Sequence, residues 1–264
     1  MTREVGRFYA QCGEDRALAH IFAQTGKGTC LEVGANDGVS LSNTYYFEQL
    51  GWRCILVEPN SDCCHEIRQS RHATVFECAA SEKEGHAVLH VGSGSDDVYS
   101  SLDAGQLTEN RERYRPVVVP TRTLDAILEE AGVASLDFVT IDVEGHESQT
   151  LKGFTLDRWK PHLVLLEDST DMVDAEVEHH MQQAGYFRFW RSGGNDWYAR
   201  RGARRASLLL HILRSGCFTW KSFLKGNVSR TLVRRIVVTK RNLVCRSRDC
   251  RRPWPGPGSG RHRR

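Results

Sequence analysis

The order of apolar and helical patterns along the first 200 residues predicts a β-sheet flanked by helices. The predicted strands are short runs rich in β-branched and other apolar residues, at 29–34, 53–58, 73–78, 87–91, 117–120, 136–142 and 162–167. The predicted helices precede or separate these strands and follow the last one, at about 14–24, 44–50, 61–69, 123–132, from 145 onward and 174–184. Strands that alternate with helices are typical of βαβ units in a parallel sheet, so the predicted fold class is α/β.

The pattern changes after the last predicted helix. Residues 186–191 and 197–200 predict an antiparallel hairpin, which can close an otherwise parallel sheet. Within the core, residues 92–106 are rich in Gly, Ser and Asp and predict a mobile loop. Apolar and basic residues are mixed at 206–244, and the Pro, Gly and Arg residues at 246–264 predict disorder. We therefore expect a domain at 1–200 and a tail at 201–264.

The net charge of the chain changes sign at the same place, near residue 200. Residues 200–264 hold 19 Lys and Arg against one acid and carry +18, whereas residues 1–199 carry −15. Such a tail could bind nucleic acid through its phosphates, bind an anionic membrane surface, or be a solvated extension. Its interleaved aliphatic and aromatic residues favour an amphipathic segment at a membrane surface, and nucleic acid is the less favoured partner.

The remaining composition points to an intracellular protein. The chain has no run of 18 apolar residues and no apolar N-terminal stretch that resembles a secretory signal, so we expect a cytoplasmic protein. Its nine cysteines include no Cys-x-x-Cys pair, which predicts free thiols rather than a disulfide framework. Cys30, Cys54 and Cys78 lie in or beside predicted strands, where a thiol behaves as a small apolar group.

A glycine-containing turn follows the first predicted strand, with the sequence EVGANDG at 32–38. Glycine allows a tight turn and lets the backbone approach a ligand closely. The spacing of Gly34 and Gly38 differs from the G-x-G-x-x-G of dinucleotide folds, and no phosphate-loop Gly-Lys-Ser/Thr is present. Glu58 ends the second predicted strand 20 residues after Gly38, the offset expected for an acid that binds ribose hydroxyls. Together these residues predict a site for an adenosine without a pyrophosphate.

Ionisable residues cluster after the strand at 136–142 and at the end of the strand that follows it. Asp142, Glu144, His146 and Glu147 are close in sequence, and Glu167 lies at the same predicted edge, where open α/β sheets bind ligands. Asp142 is the first candidate for the reacting centre, His146 is a candidate base because its ordinary pKa is near neutrality, and Glu167 is a second candidate. In the alternative interpretation Glu144 and Glu147 stabilise the next helix through its dipole, and His146 is a surface or capping residue. Asp142, Glu144 and His146 could also bind a divalent metal.

Four motifs occur in order along the predicted core: FYAQCGED at 8–15, LEVGANDG at 31–38, VEPN at 57–60 and IDVEGHE at 141–147. Together they resemble the FkbM family of methyltransferases, over residues 8–200. The resemblance implies a Rossmann-like class I methyltransferase fold and S-adenosylmethionine as methyl donor. It also implies an acceptor hydroxyl on a sugar, a glycolipid or a secondary metabolite. The tail lies outside the resemblance.

The resemblance also implies roles for individual residues. Glu58 would bind the ribose hydroxyls, and Asn60 belongs to the same motif as Glu58. Ala79 would lie in the segment that contacts the adenine ring. The methionine and ribose parts of the cofactor would pack against the turn, which consists of Glu32, Gly34, Ala35, Asn36, Asp37 and Gly38. Methyl transfer to an alcohol requires alignment of the reacting atoms and removal of the hydroxyl proton, for which Asp142, His146 and Glu167 are the candidates.

Three rival functions agree with parts of the sequence. A nucleotide-dependent oxidoreductase or another Rossmann enzyme is disfavoured by the spacing of Gly34 and Gly38. A nucleic-acid methyltransferase acting on RNA is favoured only by the basic tail, because no Asn-Pro-Pro-Tyr or Pro-Cys motif is present. A protein that binds the cofactor without catalysis is disfavoured by the acids at 32, 58 and 142.

Overall fold

The computed structural model describes residues 7–92, 100–102, 114–168 and 174–216. The described helices are α1 (Glu14–Ile21), α2 (Tyr45–Gln49), α3 (Ser61–Ser70), α4 (Leu124–Glu130), α5 (Glu147–Lys152), α6 (Leu156–Trp159), α7 (Ala175–Gln183) and α8 (Arg205–Ser215). The described strands are β1 (Thr29–Val33), β2 (Arg53–Glu58), β3 (Thr74–Glu77), β4 (Ala79–Ala80), β5 (Gly85–Val91), β6 (Ser100–Ser101), β7 (Arg115–Arg122), β8 (Phe138–Ile141), β9 (Leu163–Glu167), β10 (Tyr186–Ser192) and β11 (Asn195–Arg200).

Seven strands form the main sheet, in the order β10-β11-β9-β8-β1-β2-β3. Strands β3, β2, β1, β8 and β9 run parallel to one another, and β11 lies antiparallel between β9 and β10. This arrangement confirms the predicted fold class, a mostly parallel Rossmann-like sheet closed by an antiparallel hairpin. The strand order reverses at β1, so the carboxyl ends of β1 and its neighbours flank the crevice where such sheets bind ligands.

The central strands are buried on both faces, which explains their continuous apolar sequences. In β2 every residue after Arg53 is buried, and all four residues of β8 are buried. Strands in a parallel sheet covered by helices on both sides have this composition because neither face meets water. Three of the described helices begin at a residue whose side chain caps the helix: α3 at Asn60, α4 at Thr123 and α7 at Asp174. For example, the Thr123 hydroxyl accepts a hydrogen bond from the Ala126 N–H at 3.1 Å.

A second sheet of four strands has the order β4-β7-β5-β6. The strands predicted at 87–91 and 117–120 are β5 and β7, which pair antiparallel along most of their length. The loop predicted at 92–106 lies mostly outside the described residues, and the part that is described contains β6.

Helix α8 lies beyond residue 200, within the segment that the sequence assigns to the tail. It contacts α1 and β10, and its Leu209 and Ile212 side chains are buried. The folded body therefore continues through α8, while the disorder predicted at 246–264 lies outside the described residues. Within the described ranges, no helix is both long and apolar enough to cross a membrane.

The cysteines agree with the prediction made from their spacing. All six that fall in the described ranges are free thiols, and Cys30, Cys54 and Cys78 are buried among apolar residues. Cys30 and Cys54 occupy paired positions on β1 and β2, with their sulfur atoms 3.3 Å apart.

Candidate functional site

The carboxyl ends of four neighbouring strands, β2, β1, β8 and β9, open into one cavity. Its lining includes the glycine turn after β1, the acids that end β2 and β9, and the segment after β8. Of the residues proposed from the sequence, the cavity brings together Glu32, Gly34, Ala35, Asn36, Glu58, Ala79, Asp142 and Glu167. Residues that are far apart in sequence therefore share one site at the edge predicted for ligand binding.

Gly34 sits where the turn after β1 passes closest to the end of β8. Its φ is +80°, and a Cβ atom built on it would lie 1.7 Å from the carbonyl oxygen of Asp142. Its N–H donates to the Val57 carbonyl at 2.9 Å, which joins the turn to β2. The turn therefore requires glycine here, both for the left-handed backbone and for the close approach of β8.

Glu58 is held in a fixed orientation at the end of β2. One carboxylate oxygen accepts the N–H of Asn36 at 2.9 Å, and the other accepts the N–H of Asn60 at 2.8 Å. The side chain is buried beside the cavity, and this burial raises the pKa of Glu58 to about 7. Each carboxylate oxygen has a further lone pair that can accept a hydrogen bond from a ligand hydroxyl.

Glu32 lines the cavity, but its carboxylate is bonded to the protein. It accepts hydrogen bonds from the Ser42 hydroxyl at 2.8 Å, from the Asn43 N–H at 2.7 Å and from the Thr44 hydroxyl. The buried Arg71 guanidinium lies 3.5 Å away and completes its charge compensation. Glu32 therefore fixes the segment that brings Asn43 to the cavity.

Three residues proposed for cofactor binding lie beside the cavity rather than in its lining. Asp37 accepts the N–H groups of Val39 and Ser40, both at 2.7 Å, and so shapes the turn. Gly38 packs so closely on α3 that an added Cβ would lie 2.8 Å from Ile67. Asn60 caps α3 through its side chain while its N–H holds Glu58.

Three carboxyl groups meet at the other end of the cavity. Asp142, Glu144 and Glu167 each place one oxygen so that these three atoms lie within 4.8 Å of one another. Desolvation within the cavity, then the charge of the neighbouring Glu167, raise the pKa of Asp142 well above its usual range. Burial, then the charges of Glu167 and Glu147, raise the pKa of Glu144 to about 7. Like charges this close favour retention of a proton or recruitment of a cation.

His146 and Glu147 lie beside this group and make other contacts. The Nε2 atom of His146 is 3.1 Å from the Ser81 hydroxyl, and His146 is not part of the cavity lining. Glu147 accepts the N–H groups of Val143 and Gly145, which places its carboxylate at the start of α5. The metal-ligand set that the sequence suggested therefore differs from the structural cluster, where Glu167 takes the place of His146.

Sequence reasoning assigned no role to three polar residues that line the cavity, Gln11, Asn43 and Thr140. The Asn43 Oδ1 and Thr140 Oγ1 atoms are buried and have no hydrogen-bond partner among the described residues. The alternation of side chains along a strand could have indicated Thr140, because it precedes Asp142 by two positions. Asn43 reaches the cavity only through tertiary contacts, so no local pattern signals it. Gln11 belongs to the FYAQCGED motif at 8–15, but the motif alone assigned it no role.

Comparison with known proteins gives both a family and distant structural relatives. The family described as "Methyltransferase FkbM domain" matches residues 32–188. The 2-O-methyltransferase NoeI of Sinorhizobium fredii (strain NBRC 101917 / NGR234) is 28% identical over 138 residues. That alignment covers 47% of this chain and 56% of NoeI, so the chain spans little more than half the length of that relative.

Among solved structures, the similarities are remote in sequence. A precorrin-6y C5,15-methyltransferase from Geobacter metallireducens GS-15 has 13% identity and a TM-score of 0.40, covering 70% of this chain and 84% of that chain. A TehB-like SAM-dependent methyltransferase from Corynebacterium glutamicum ATCC 13032 has 9% identity and a TM-score of 0.39, covering 74% and 90% of the two chains.

Proposed function

Because the chain belongs to the FkbM methyltransferase family, we propose that it methylates a hydroxyl oxygen with S-adenosylmethionine as the donor. The acceptor is a sugar, a glycolipid or another secondary metabolite. One observation carries this proposal: a single cavity is lined by Glu58, the acid proposed to bind ribose, on β2 and by a group of carboxyls around Asp142 beyond β1. A nicotinamide-dependent enzyme of the same general fold would need a pyrophosphate site, which the Gly34 to Gly38 turn does not provide.

The residues at the Glu58 end fit the cofactor. Glu58 offers acceptors for the ribose hydroxyls, and Ala79 and Ala80 leave room for a flat base. The buried Asn43 Oδ1 atom, unpartnered within the described ranges, can accept a hydrogen bond from the methionine ammonium group. When bound, S-adenosylmethionine supplies an electrophilic methyl group.

The residues at the Asp142 end suit the acceptor. A hydroxyl oxygen becomes a better nucleophile as its proton is withdrawn, and a carboxylate within hydrogen-bond reach can take that proton. Asp142 and Glu167 line the cavity, whereas His146 contacts Ser81 outside the lining. We therefore assign proton removal to Asp142, with the Glu167 carboxyl group beside it.

The test is methyl transfer to a panel of hydroxyl acceptors. S-adenosylmethionine labelled in its methyl group is incubated with the protein and with sugars, glycolipids, other alcohols and RNA, and both labelled product and S-adenosylhomocysteine are measured. Asp142→Asn should lower turnover about 10²- to 10⁴-fold while cofactor affinity changes little. Asp157→Asn is the matched control, because Asp157 is exposed on α6 at the amino end of β9. Label in RNA but in no hydroxyl acceptor of the panel would contradict the proposal.

We further propose that the protein is cytoplasmic and that its basic C-terminal segment holds it on an anionic membrane surface. Residues 217–264, beyond α8, carry +13, and their apolar side chains would bury at a lipid interface. Arg201, Arg204 and Arg214, which are described, are exposed to solvent. The body through α8, residues 1–216, carries −10 and would be repelled by anionic lipid without such a segment.

A further inference from the structure

The acceptor end of the cavity concentrates negative charge without a matching cation. One oxygen each of Asp142, Glu144 and Glu167 lies within 4.8 Å of the others. The ion pairs found among the described residues all involve other acids. Three carboxylates at this separation repel one another strongly in a partly buried site. A retained proton or a bound cation relieves this repulsion.

A buried hydroxyl on the same face of the sheet is an independent sign of a ligand. Thr140 is 3% exposed, lines the cavity, and its Oγ1 atom has no hydrogen-bond partner in the described ranges. It precedes Asp142 by two positions on β8 and pairs with Leu165, which precedes Glu167 by two positions on β9. Side chains alternate between the faces of a sheet, so Thr140 projects on the same side as Asp142 and Glu167. A buried polar group is seldom left without a partner, which indicates that something polar binds here.

We propose that Asp142, Glu144 and Glu167 bind a divalent cation of the Mg²⁺, Mn²⁺ or Ca²⁺ class. Carboxylate and hydroxyl oxygens are the ligands that these hard cations prefer, and no thiol or imidazole belongs to the group. Ligand oxygens 2.0–2.6 Å from one ion are separated by at most about 4–5 Å, in line with the spacing of these three oxygens. The Thr140 hydroxyl accepts a hydrogen bond from a water of the ion.

The role of the cation rests on the proposed function, although its binding does not. A divalent cation beside the acceptor lowers the pKa of the acceptor hydroxyl and fixes its position. In the transfer, the carbon–oxygen bond forms as the carbon–sulfur bond breaks, and the electron pair of that bond goes to sulfur. Each carboxyl group offers the ion one oxygen, so the second oxygen of Asp142 can accept the hydroxyl proton.

The direct test is a calorimetric titration of the EDTA-treated full-length chain with MnCl₂, without cofactor or acceptor. We expect saturable binding of one Mn²⁺ per chain, weakened at least about 10-fold in Glu144→Gln and in Glu167→Gln. Thr140→Val, which keeps the shape of the side chain, should weaken binding less than either. Glu58→Gln removes a carboxylate from the other end of the same cavity and should leave Mn²⁺ binding unchanged. Circular dichroism establishes that each variant is folded.

The possible results separate this inference from the proposed function. Absence of saturable Mn²⁺ binding to the folded protein, or equal binding by Glu144→Gln and the unaltered chain, would overturn the cation site. Methyl transfer that persists in EDTA would overturn the role of the cation and leave O-methylation intact. Mn²⁺ binding by a chain that binds no S-adenosylmethionine would instead count against the proposed function.

Discussion

Gly34 is the residue on which the geometry of the cavity depends most directly. An alanine at this position combines a left-handed φ with a Cβ placed 1.7 Å from the Asp142 carbonyl oxygen. Gly26 is a matched control, because its φ is +74° but nothing lies within 4 Å of an added Cβ. We expect Gly26→Ala to lower the free energy of unfolding by about 1–2 kcal/mol through its backbone alone. Gly34→Ala should lower it further and abolish cofactor binding.

Urea denaturation of the two variants, with S-adenosylmethionine titrations on each, measures the difference. Equal losses of stability would show that the approach of β8 to the turn imposes no constraint. Retention of cofactor affinity by folded Gly34→Ala would show that the turn does not contact the ligand.

The sequence predicted some residues of the site better than others. Gly34, Glu58 and Asp142 were identifiable because each ends or follows a strand, and strand ends meet at the ligand edge of a parallel sheet. Glu32 was correctly placed at the cavity, but its bonds to residues 42–44 depend on how that segment folds back over β1. His146 contacts Ser81, 65 positions away, and such a contact has no local signature.

At the scale of elements, the sequence predicted the strands whose residues are buried along most of their length. The strands β1, β2, β8 and β9 are covered on both faces, so apolar residues predominate in each of them, although Glu32 interrupts β1 and Thr140 interrupts β8. The two-residue strand β4 and the four-residue helix α6 are too short for any periodicity to appear. Helix α8 went unrecognised as part of the folded body because its buried Leu209 and Ile212 occur among basic residues.

Two truncations test how the chain divides at α8. Removal of residues 217–264 should leave the fold and cofactor binding intact. Removal of residues 201–264 should destabilise the protein, because the buried side chains of Leu209 and Ile212 are lost. The burial of each contributes roughly 1.5–3 kcal/mol to the free energy of unfolding. Thermal unfolding and cofactor titration measure both effects. Equal stability of the two truncated proteins would show that α8 contributes nothing to the body.

The same truncations test the membrane proposal. The full-length chain should sediment with anionic liposomes, less so as salt rises, because exposed charges are screened over about 8 Å at physiological ionic strength. The chain that ends at residue 216 should remain in the supernatant. Full-length protein that ignores anionic liposomes but binds RNA tightly would contradict the membrane proposal.

At the scale of the whole molecule, the cavity and the tail have separate tasks. The acidic body, residues 1–216 with a net charge of −10, contains the cavity in which we place the sulfonium cofactor, and the tail at 217–264 carries +13. The central claim concerns the body, namely that its cavity binds S-adenosylmethionine through Glu58.

Calorimetric titration of S-adenosylmethionine at pH 6 and pH 8, on the unaltered chain and on Glu58→Gln, tests that claim most directly. With a pKa of about 7, Glu58 is ionised in about one tenth of molecules at pH 6 and about nine tenths at pH 8. The ionised carboxylate is the stronger acceptor for ribose hydroxyls, so affinity should rise up to about 10-fold between these pH values. Glu58→Gln should bind more weakly at pH 8 and lose this dependence. A folded chain that binds no S-adenosylmethionine, or a Glu58→Gln variant with undiminished affinity at pH 8, would contradict the account.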